Sequence, residues 1–204
     1  QYVKYEVVGL VEGEVDVYDV RLTFALKEKT RGSDLSLVIE SAEDVETYLL
    51  DHMTSRQTID LELKLKSDYI IYLEINDGVE ILRTDLEPFN LYQYLLNRFS
   101  FFVEFDIKEN NAITEIYVSN KWSNASLGIK EEGLKIKELR VLIKNNDNIV
   151  IDEIYTNPNM SSSHSEIYTF RYANDVGGQV GTWQVNVSIV DQFGIEYNLM
   201  PSET

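Results

Sequence analysis

Carboxylates are the side chains of this sequence with the greatest capacity for chemistry. Of its 204 residues, 35 are Asp or Glu and two are His. Glu12, Glu14 and Asp16 lie two residues apart with Asp19 just beyond, a spacing that would place the first three on one face of a strand. Like charges so placed repel unless a cation screens them, and Ca²⁺ binds carboxylate oxygens. We therefore treat these four residues as a candidate calcium site and expect no other cofactor.

A second arrangement of carboxylates could hydrolyse a glycosidic bond. Glu104 and Asp106 alternate along a predicted strand at 99–107, and Glu74 shares another strand with Tyr72. Glycosidases use two such carboxylates about 5–9.5 Å apart in a cleft. Acids are so frequent in this sequence that neighbours of this kind are expected by chance. We favour a solvated strand face for these residues and keep an acid-pair glycoside hydrolase as the less favoured alternative.

Nucleophilic catalysis has no support in the residue types present. The sequence has no cysteine, which excludes thiolate catalysis, disulfides and cysteine-ligated metals. A Ser/His/Asp triad would need His52 or His164, and neither is accompanied by a nucleophile elbow. We predict that the protein is not an enzyme.

Three sequons for N-glycosylation occur in the sequence, at Asn124, Asn159 and Asn186. The first falls in a polar segment, the second in a loop and the third on the polar face of a predicted strand. All three are therefore expected to be exposed, which favours a secreted or cell-surface glycoprotein.

The chain is strongly acidic, with a net charge of −17 at neutral pH. An acidic surface repels phosphate backbones and anionic lipids, so nucleic acid and membrane surfaces are disfavoured as partners. No run of about 18 apolar residues occurs, and we expect no membrane span in this chain.

The elements that would position these residues are mostly strands. Apolar residues alternate with polar ones in runs such as 20–26 and 59–65, which is the period of a half-buried strand. Asn76-Asp77-Gly78 separates two such runs and predicts a tight hairpin. Two short helices are expected among these strands, one over residues 41–53 and one that begins near Pro88.

A polar segment near residue 122 divides the predicted strands into two groups. Residues 119–126 are mostly Ser, Asn and Lys and show no apolar alternation, which is typical of a linker. We therefore predict an all-β protein of two antiparallel β-sandwich domains, residues 1–120 and 125–204, with the two short helices in the first.

The most recognisable motif lies near the end of the sequence. A Gly-x-Trp-x-Val-x-Val run begins at Gly181, and Val-x-Asp-x-x-Gly follows it and ends at Gly194. This motif resembles the last two strands of immunoglobulin-like and fibronectin-type-III-like β-sandwich repeats, and residues 168–172 lie where those repeats place the preceding strand. The resemblance covers residues 130–200 and implies an immunoglobulin-like sandwich there. No cysteine pair is available to link its sheets, so an antibody-type domain is not implied.

Repeats of this kind are common in prokaryotic cell-surface proteins, including surface-layer proteins, adhesins and pilus-associated subunits. The resemblance therefore implies an extracellular structural protein, a cell-surface or filament subunit or an adhesin module. Its expected partners are other protein subunits, in a homo-oligomer or filament, and in addition glycans. The alternative function is a carbohydrate-binding module, for which Tyr92 and Tyr94, or Tyr69 and Tyr72, would contribute to a planar row of exposed aromatic rings.

The first predicted strand offers a means of linking subunits. A sandwich edge can accept a strand from a neighbour, and this strand is short and terminal. Its candidate residues for exchange are Tyr2, Val3, Tyr5 and Val7, the last three of which share one face. We expect this strand to be donated to a neighbouring subunit.

Overall fold

The computed structural model of the chain describes residues 3–26, 34–51, 54–86, 88–108, 111–121, 131–156, 158, 161–162, 165–175 and 181–200. Within these ranges the chain forms sixteen strands and two short helices. Every pair of neighbouring strands is antiparallel. The chain divides into two compact units, residues 1–95 with 125–129 and residues 96–124 with 130–204. The predicted all-β architecture is confirmed.

The first unit contains eight of the strands in two sheets. They are β1 Val3–Leu10, β2 Val17–Ala25, β3 Asp34–Glu40, β4 Val45–Leu49, β5 Arg56–Lys64, β6 Asp68–Asn76, β7 Ile81–Asp85 and β8 Phe89–Asn90. One sheet has the order β1-β2-β5, and the other has the order β4-β3-β6-β7 with β8 paired to β6.

Apolar alternation places one face of each sheet in the core of this unit. On β2, Val20, Leu22 and Phe24 are completely buried, as the alternation over residues 20–26 predicts. The other buried apolar residues on these strands with the same orientation are Val7, Leu35, Leu37, Ile39, Leu61, Leu63, Tyr69, Ile71 and Leu73. Burial of two apolar sheet faces stabilises a sandwich by about 25 cal/mol for each Å² removed from water.

The hairpin predicted at Asn76-Asp77-Gly78 is confirmed. It joins β6 to β7, and Gly78 has a φ of 85°, in the left-handed region that glycine adopts without strain. Asp77 Oδ1 accepts hydrogen bonds from the backbone N–H groups of Val79 and Glu80, both at 2.9 Å, and these bonds lower the pKa of Asp77.

The helix predicted over residues 41–53 is wrong, because Val45–Leu49 forms strand β4 and pairs with β3. Ser41 Oγ does accept hydrogen bonds from two backbone N–H groups of the following turn, at 3.1 and 3.3 Å, as an N-cap would. The turn nevertheless leads into a strand, since Val45, Thr47 and Tyr48 are residues that favour strands and β3 supplies their hydrogen-bond partners.

The second predicted helix is confirmed as α1, Leu91–Leu96. Its N-cap is Asn90, whose Oδ1 accepts a hydrogen bond from the backbone N–H of Gln93 at 3.0 Å. Leu91 and Leu95 are completely buried on one face of the helix.

The second unit contains the other eight strands and a short helix. They are β9 Phe99–Lys108, β10 Asn111–Lys121, α2 Glu131–Leu134, β11 Ile136–Asn145, β12 Asn148–Thr156, β13 Ser161–Ser162, β14 Ser165–Asp175, β15 Trp183–Asp191 and β16 Glu196–Leu199. The two sheets have the orders β13-β14-β10-β9 and β12-β11-β15-β16.

The two units repeat one strand order. If the two-residue strands β8 and β13 are set aside, the first, second and fifth strands of each unit form one sheet. The fourth, third, sixth and seventh strands form the other. This arrangement is an immunoglobulin-like or fibronectin-type-III-like sandwich. The resemblance inferred for residues 130–200 therefore extends to the first unit, where the sequence carries no recognisable motif.

The domain boundary predicted between residues 120 and 125 differs from the division in the structure. Strand β10 pairs with β14 along its whole length, from Asn111 opposite Asp175 to Lys121 opposite Ser165. Residues 99–121 therefore belong to the second sandwich, and the division falls at residue 95. The polar residues after Lys121 follow the second strand of a sandwich and not its last.

The closing hairpin of the sequence is confirmed as β15 and β16. These strands pair from Val187 opposite Leu199 to Val190 opposite Glu196, and Gly194 in their turn has a φ of 86°. The pairing of β11 with β15 contains a register shift between Ile136 and Glu138.

A buried ion pair closes one end of the second unit. Arg98, which precedes β9, donates from Nη2 to Asp191 Oδ2 at 2.7 Å, and the two side chains are 1% and 0% exposed. Tyr197 Oη donates to the same carboxylate oxygen at 2.9 Å and accepts from Arg98 Nη1 at 3.2 Å. Burial raises the pKa of the Asp191 carboxyl, and the Arg98 charge opposes that rise.

The same arginine connects this pair to the other sheet. Arg98 Nε donates to Asn120 Oδ1 at 3.2 Å, and Asn120 Nδ2 donates to Glu166 Oε2 at 2.9 Å. Glu166 Oε2 also accepts from the backbone N–H of Ile136 at 3.0 Å. The network therefore joins β10 and β14 of one sheet to β11, β15 and β16 of the other.

Replacement of Asp191 by Ala should destabilise the second unit by about 3–5 kcal/mol, because Arg98 would be left buried without its counter-charge. Both tryptophans of the sequence fall within the residue ranges of this unit, so urea unfolding followed by tryptophan fluorescence measures it directly.

Arg140→Ala is the control for this experiment. Arg140 pairs with Asp152 at 2.7 Å on an exposed surface, and because water screens this pair its loss should leave the urea midpoint nearly unchanged. Equal costs for the two variants would show that burial of the Arg98–Asp191 pair has no special energetic role.

Candidate interaction surface

The outer face of the β4-β3-β6-β7 sheet in the first unit carries exposed apolar side chains among polar ones such as Glu40 and Glu74. The register places Val45, Leu49, Ile70 and Ile81 on the side opposite the core. These four side chains are 55%, 82%, 45% and 61% exposed. Together with Val38 and Tyr72 at the centre of the same side, they form what we call the apolar face.

Two features show that the centre of the apolar face is well packed. Val38 points away from the core and is nevertheless only 4% exposed. The Arg83 guanidinium lies 3.6 Å from the ring centroid of Tyr72 and is hydrogen-bonded to Asp85. A cation held over an aromatic ring and paired to a carboxylate has little freedom, so the face is preorganised.

The opposite surface of the same unit provides a contrast. On the outer side of β1-β2-β5, Arg21 lies between Glu6 and Asp60 in register, and its Nε donates to Asp60 Oδ1 at 2.7 Å. Asp19 and Glu62 form the neighbouring cross-strand pair. This surface is charged and solvated along the middle of its strands.

An acidic cavity of about 390 Å³ also lies in the first unit. Glu43, Asp44, Glu46 and Glu62 contribute to its lining, and Lys64, also in the lining, is hydrogen-bonded to Glu43. Across the described ranges, no group of three or more His, Asp or Glu side chains is placed to hold a metal ion. The cavity is therefore negatively charged, but its described carboxylates are not arranged to coordinate a metal ion.

The four candidate calcium residues do not share a strand face. Glu12, Glu14 and Asp16 lie in the connection between β1 and β2, where Gly13 has a φ of 86°, and Asp19 lies within β2. The strand on which the calcium expectation depended ends at Leu10. The structure does not gather these carboxylates into a site.

The carboxylates considered for glycoside hydrolysis lie on an open sheet. Glu104 and Asp106 are exposed on the outer side of β9, and Glu104 lies opposite Glu115 of β10. Glu115 is engaged by Tyr117 Oη at 2.7 Å and by Arg171 Nε at 3.3 Å. An acid pair would need two carboxylates that face each other across a cleft, whereas these residues lie side by side on an open sheet.

Tyr69 and Tyr72, one of the two tyrosine pairs named for carbohydrate binding, do not share a face. Tyr69 is buried on the core side of β6, whereas Tyr72 belongs to the apolar face on the other side. In the other pair, Tyr94 donates from Oη to the Tyr5 carbonyl at 3.0 Å, and its ring packs on Tyr5 and Phe89.

In the second unit Phe102 and Tyr117 are partly exposed, but their rings stack on each other at a centroid distance of 4.5 Å and 11°. A stacked pair covers the ring faces that a sugar would contact.

Aromatic side chains of the second unit form a cluster where β12 and β14 approach each other. Tyr155 of β12 lies 4.7 Å from Phe170 of β14 between ring centroids, and its Oη is 3.0 Å from Tyr172 Oη. Tyr172 donates to Glu153 at 3.2 Å, and Tyr155 donates to the same carboxylate. We call these four residues the flank cluster. Burial raises the pKa of both tyrosines, so each remains a neutral donor.

Of the three sequons, only Asn186 falls within the described part of the chain. It is exposed on β15, on the polar side that the alternation predicts. Asn124 and Asn159 lie outside the described residues, as do His52 and His164.

The strand expected to be donated is paired within its own unit. Val3, Tyr5 and Val7 of β1 lie opposite residues of β2, and Val7 is completely buried. Tyr5 stacks on Phe89 at a centroid distance of 3.9 Å. These contacts occupy the residues named for exchange, and Tyr2 lies outside the described residues.

Sequence reasoning missed the apolar face and the flank cluster. The apolar face depends on β4, whose residues at 45 and 49 are spaced for a helix as well as for one side of a strand. The flank cluster depends on two strands that come from different sheets, and no short motif encodes that approach.

Comparison with known proteins finds similar solved structures but no matching sequence. No family model matches the sequence, and no curated protein matches it. A solved structure described as a two fibronectin type-III domain segment from chicken tenascin is 14% identical. The alignment covers 98% of this chain and 99% of that one, with a TM-score of 0.30.

In the described residues no helix is long and apolar enough to cross a membrane.

Tyrosine ionisation should couple to unfolding at alkaline pH. Burial raises the pKa of Tyr94 to about 12 and also raises the pKa values of Tyr168, Tyr172 and Tyr197. An unfolded tyrosine has a pKa of about 10. Between these values the folded state holds more protons, so this contribution to stability is complete below pH 10 and is lost as pH rises through the folded pKa values.

The measurement is an absorbance titration at 295 nm alongside urea unfolding at pH 8 and pH 11. We expect part of the phenolate signal to appear only when the protein unfolds, and a lower urea midpoint at pH 11. Ionisation of all 13 tyrosines near pH 10 with the fold intact would contradict this expectation.

Proposed function

We propose that this chain is a structural protein that acts through protein–protein contacts, without catalysis. Its immunoglobulin-like or fibronectin-type-III-like fold is of a kind that serves in many proteins as an interaction module, although fold alone does not determine function. The apolar face of the first unit is the observation that carries the proposal, because aliphatic side chains exposed on one side of a sheet offer a surface that a partner can cover.

The energetics of the apolar face support this proposal. Four branched aliphatic side chains on this sheet are between 45% and 82% exposed, beside the Arg83–Asp85 ion pair of the same face. Full burial of a Val, Leu or Ile side chain contributes about 1.5–3 kcal/mol, so a partner that covers the face gains several kcal/mol. The ring of Tyr72 beside the charge of Arg83 would give such a partner orientation as well as affinity.

The finer proposal is a secreted cell-surface or filament subunit, such as a surface-layer, pilus-like or adhesin component. Three sequons, one of them on an exposed strand position, favour passage through a secretory route. The charge of −17 is consistent with protein partners and opposes binding to nucleic acid. In such an assembly the partners of the apolar face are other subunits, either identical copies or neighbouring surface proteins.

Site-specific photo-crosslinking in the cells that produce the protein tests the interaction proposal. A p-benzoylphenylalanine at position 49 should form a discrete covalent adduct, because Leu49 is the most exposed residue of the apolar face. The matched control is the same replacement at Thr58, which is exposed on the charged sheet. Substitution Ile70→Glu should reduce the adduct at position 49 by tenfold or more.

Equal adducts at positions 49 and 58, or an adduct at 49 that survives Ile70→Glu, would contradict the proposal. Labelling of intact cells with a membrane-impermeant amine reagent tests the finer proposal separately. We expect the protein to be labelled, and protection of all its lysines in intact cells would argue against a surface location.

A further inference from the structure

Strand β12 is an edge strand in the second unit. It is the outer strand of its sheet and, within the described ranges, pairs only with β11. Its sequence contains no Lys, Pro or Gly, and its two charged residues, Asp152 and Glu153, are both acidic, so they block the edge against acidic segments more than against basic ones. Ile149, Val150 and Ile154 on this strand are 62%, 40% and 58% exposed.

The regular part of β12 is long enough to accept another strand. From Ile151 to Thr156 it pairs with β11 without interruption, and the register shift lies before this stretch, between Ile143 and Lys144 of β11. An added strand gains main-chain hydrogen bonds at such an edge, and alternate side chains of the added segment contact opposite faces.

The flank cluster determines which charge an added strand should carry on the face of β12 that holds Glu153 and Tyr155. Glu153 accepts hydrogen bonds from Tyr155 and Tyr172, and in the described chain no Lys or Arg lies within ion-pair distance of it. Its neighbour Asp152 is different, because Arg140 donates to both of its carboxylate oxygens at 2.7 Å. Glu153 is therefore the carboxylate of this edge without a cation.

A carboxylate beside aromatic rings is a favourable environment for a cationic side chain. An ammonium or guanidinium group pairs with the carboxylate and is attracted to the ring faces. On the other face of β12, Ile154 and Val150 offer apolar contact. The complementary segment therefore alternates cationic and apolar residues.

We propose that β12 binds an extended segment of a partner protein as an added strand, with a Lys or Arg of that segment against Glu153 and the rings of Tyr155 and Tyr172. This site lies in the second unit and does not depend on the apolar face of the first. It accepts a basic partner, and an identical copy would bring a second Glu153 in place of a cation.

The probe for this proposal is a synthetic peptide, acetyl-Thr-Lys-Val-Lys-Val-Lys-Thr-amide, added to the full-length ¹⁵N-labelled chain in 0.15 M NaCl. We expect amide shifts confined to β12 and to the residues of the flank cluster. A peptide of the same sequence methylated on alternate backbone nitrogens should lose binding by at least tenfold, because the added strand could no longer form its hydrogen bonds.

Glu153→Gln should weaken binding of the peptide by about five- to tenfold. Ile154→Lys should weaken it by at least tenfold, because a charge would replace the apolar contact with the peptide valines. The control is Glu104→Gln, which removes an exposed carboxylate from β9, the edge strand of the other sheet of the unit, and should leave the affinity unchanged.

Three results would overturn the proposal. The first is equal binding of the methylated and unmethylated peptides, and the second is shifts spread over the acidic surface of both units. The third is a dimer in sedimentation equilibrium that Ile154→Lys dissociates, which would assign the edge to pairing between copies.

Discussion

The ion pair between Arg98 and Asp191 is the constraint on which the second unit depends. Neither charge is tolerated inside a sandwich alone, so the strands that supply them must meet before either can be buried. Arg98 stands at the entrance to β9, and Asp191 ends β15. The same guanidinium is hydrogen-bonded to Asn120, which is in turn hydrogen-bonded to Glu166. It therefore holds the end of β10 beside the start of β14. This network therefore fixes the two sheets of the second unit to each other at one end.

The short-range parts of the fold could be predicted from the sequence, because local chemistry determines them. Asp77-Gly78 requires a turn with positive φ, and the alternation around Leu61 and Val187 requires one buried face. The long-range parts could not be predicted. The polar residues after Lys121 resembled a linker, and only the pairing of β10 with β14 shows that they follow a strand of the second sandwich.

The interaction surfaces illustrate the same limit in physical terms. Positions 45 and 49 suit one helix face as well as one strand face, so the pattern alone did not distinguish the two. Val38 is an apolar residue on the outer side of β3. Its place at the centre of the apolar face can be recognised only when its neighbours on β4 and β6 are known. Asn186 was placed correctly, since exposure on an alternating strand is a local property. The spacing of the carboxylates along the sequence could not show whether they form a catalytic pair, because such a pair requires a cleft that only the fold reveals.

The apolar face and the acidity of the chain act together on the solubility of the protein. At neutral pH a charge of −17 makes molecules of this protein repel one another over about one Debye length, which keeps apolar faces apart in dilute salt. The isoelectric point is about 4.4, so acidification removes that colloidal barrier, and added salt shortens its range. Association through the apolar face is therefore opposed at neutral pH in dilute salt and favoured by acid or added salt, with no change in the structure of the sheet.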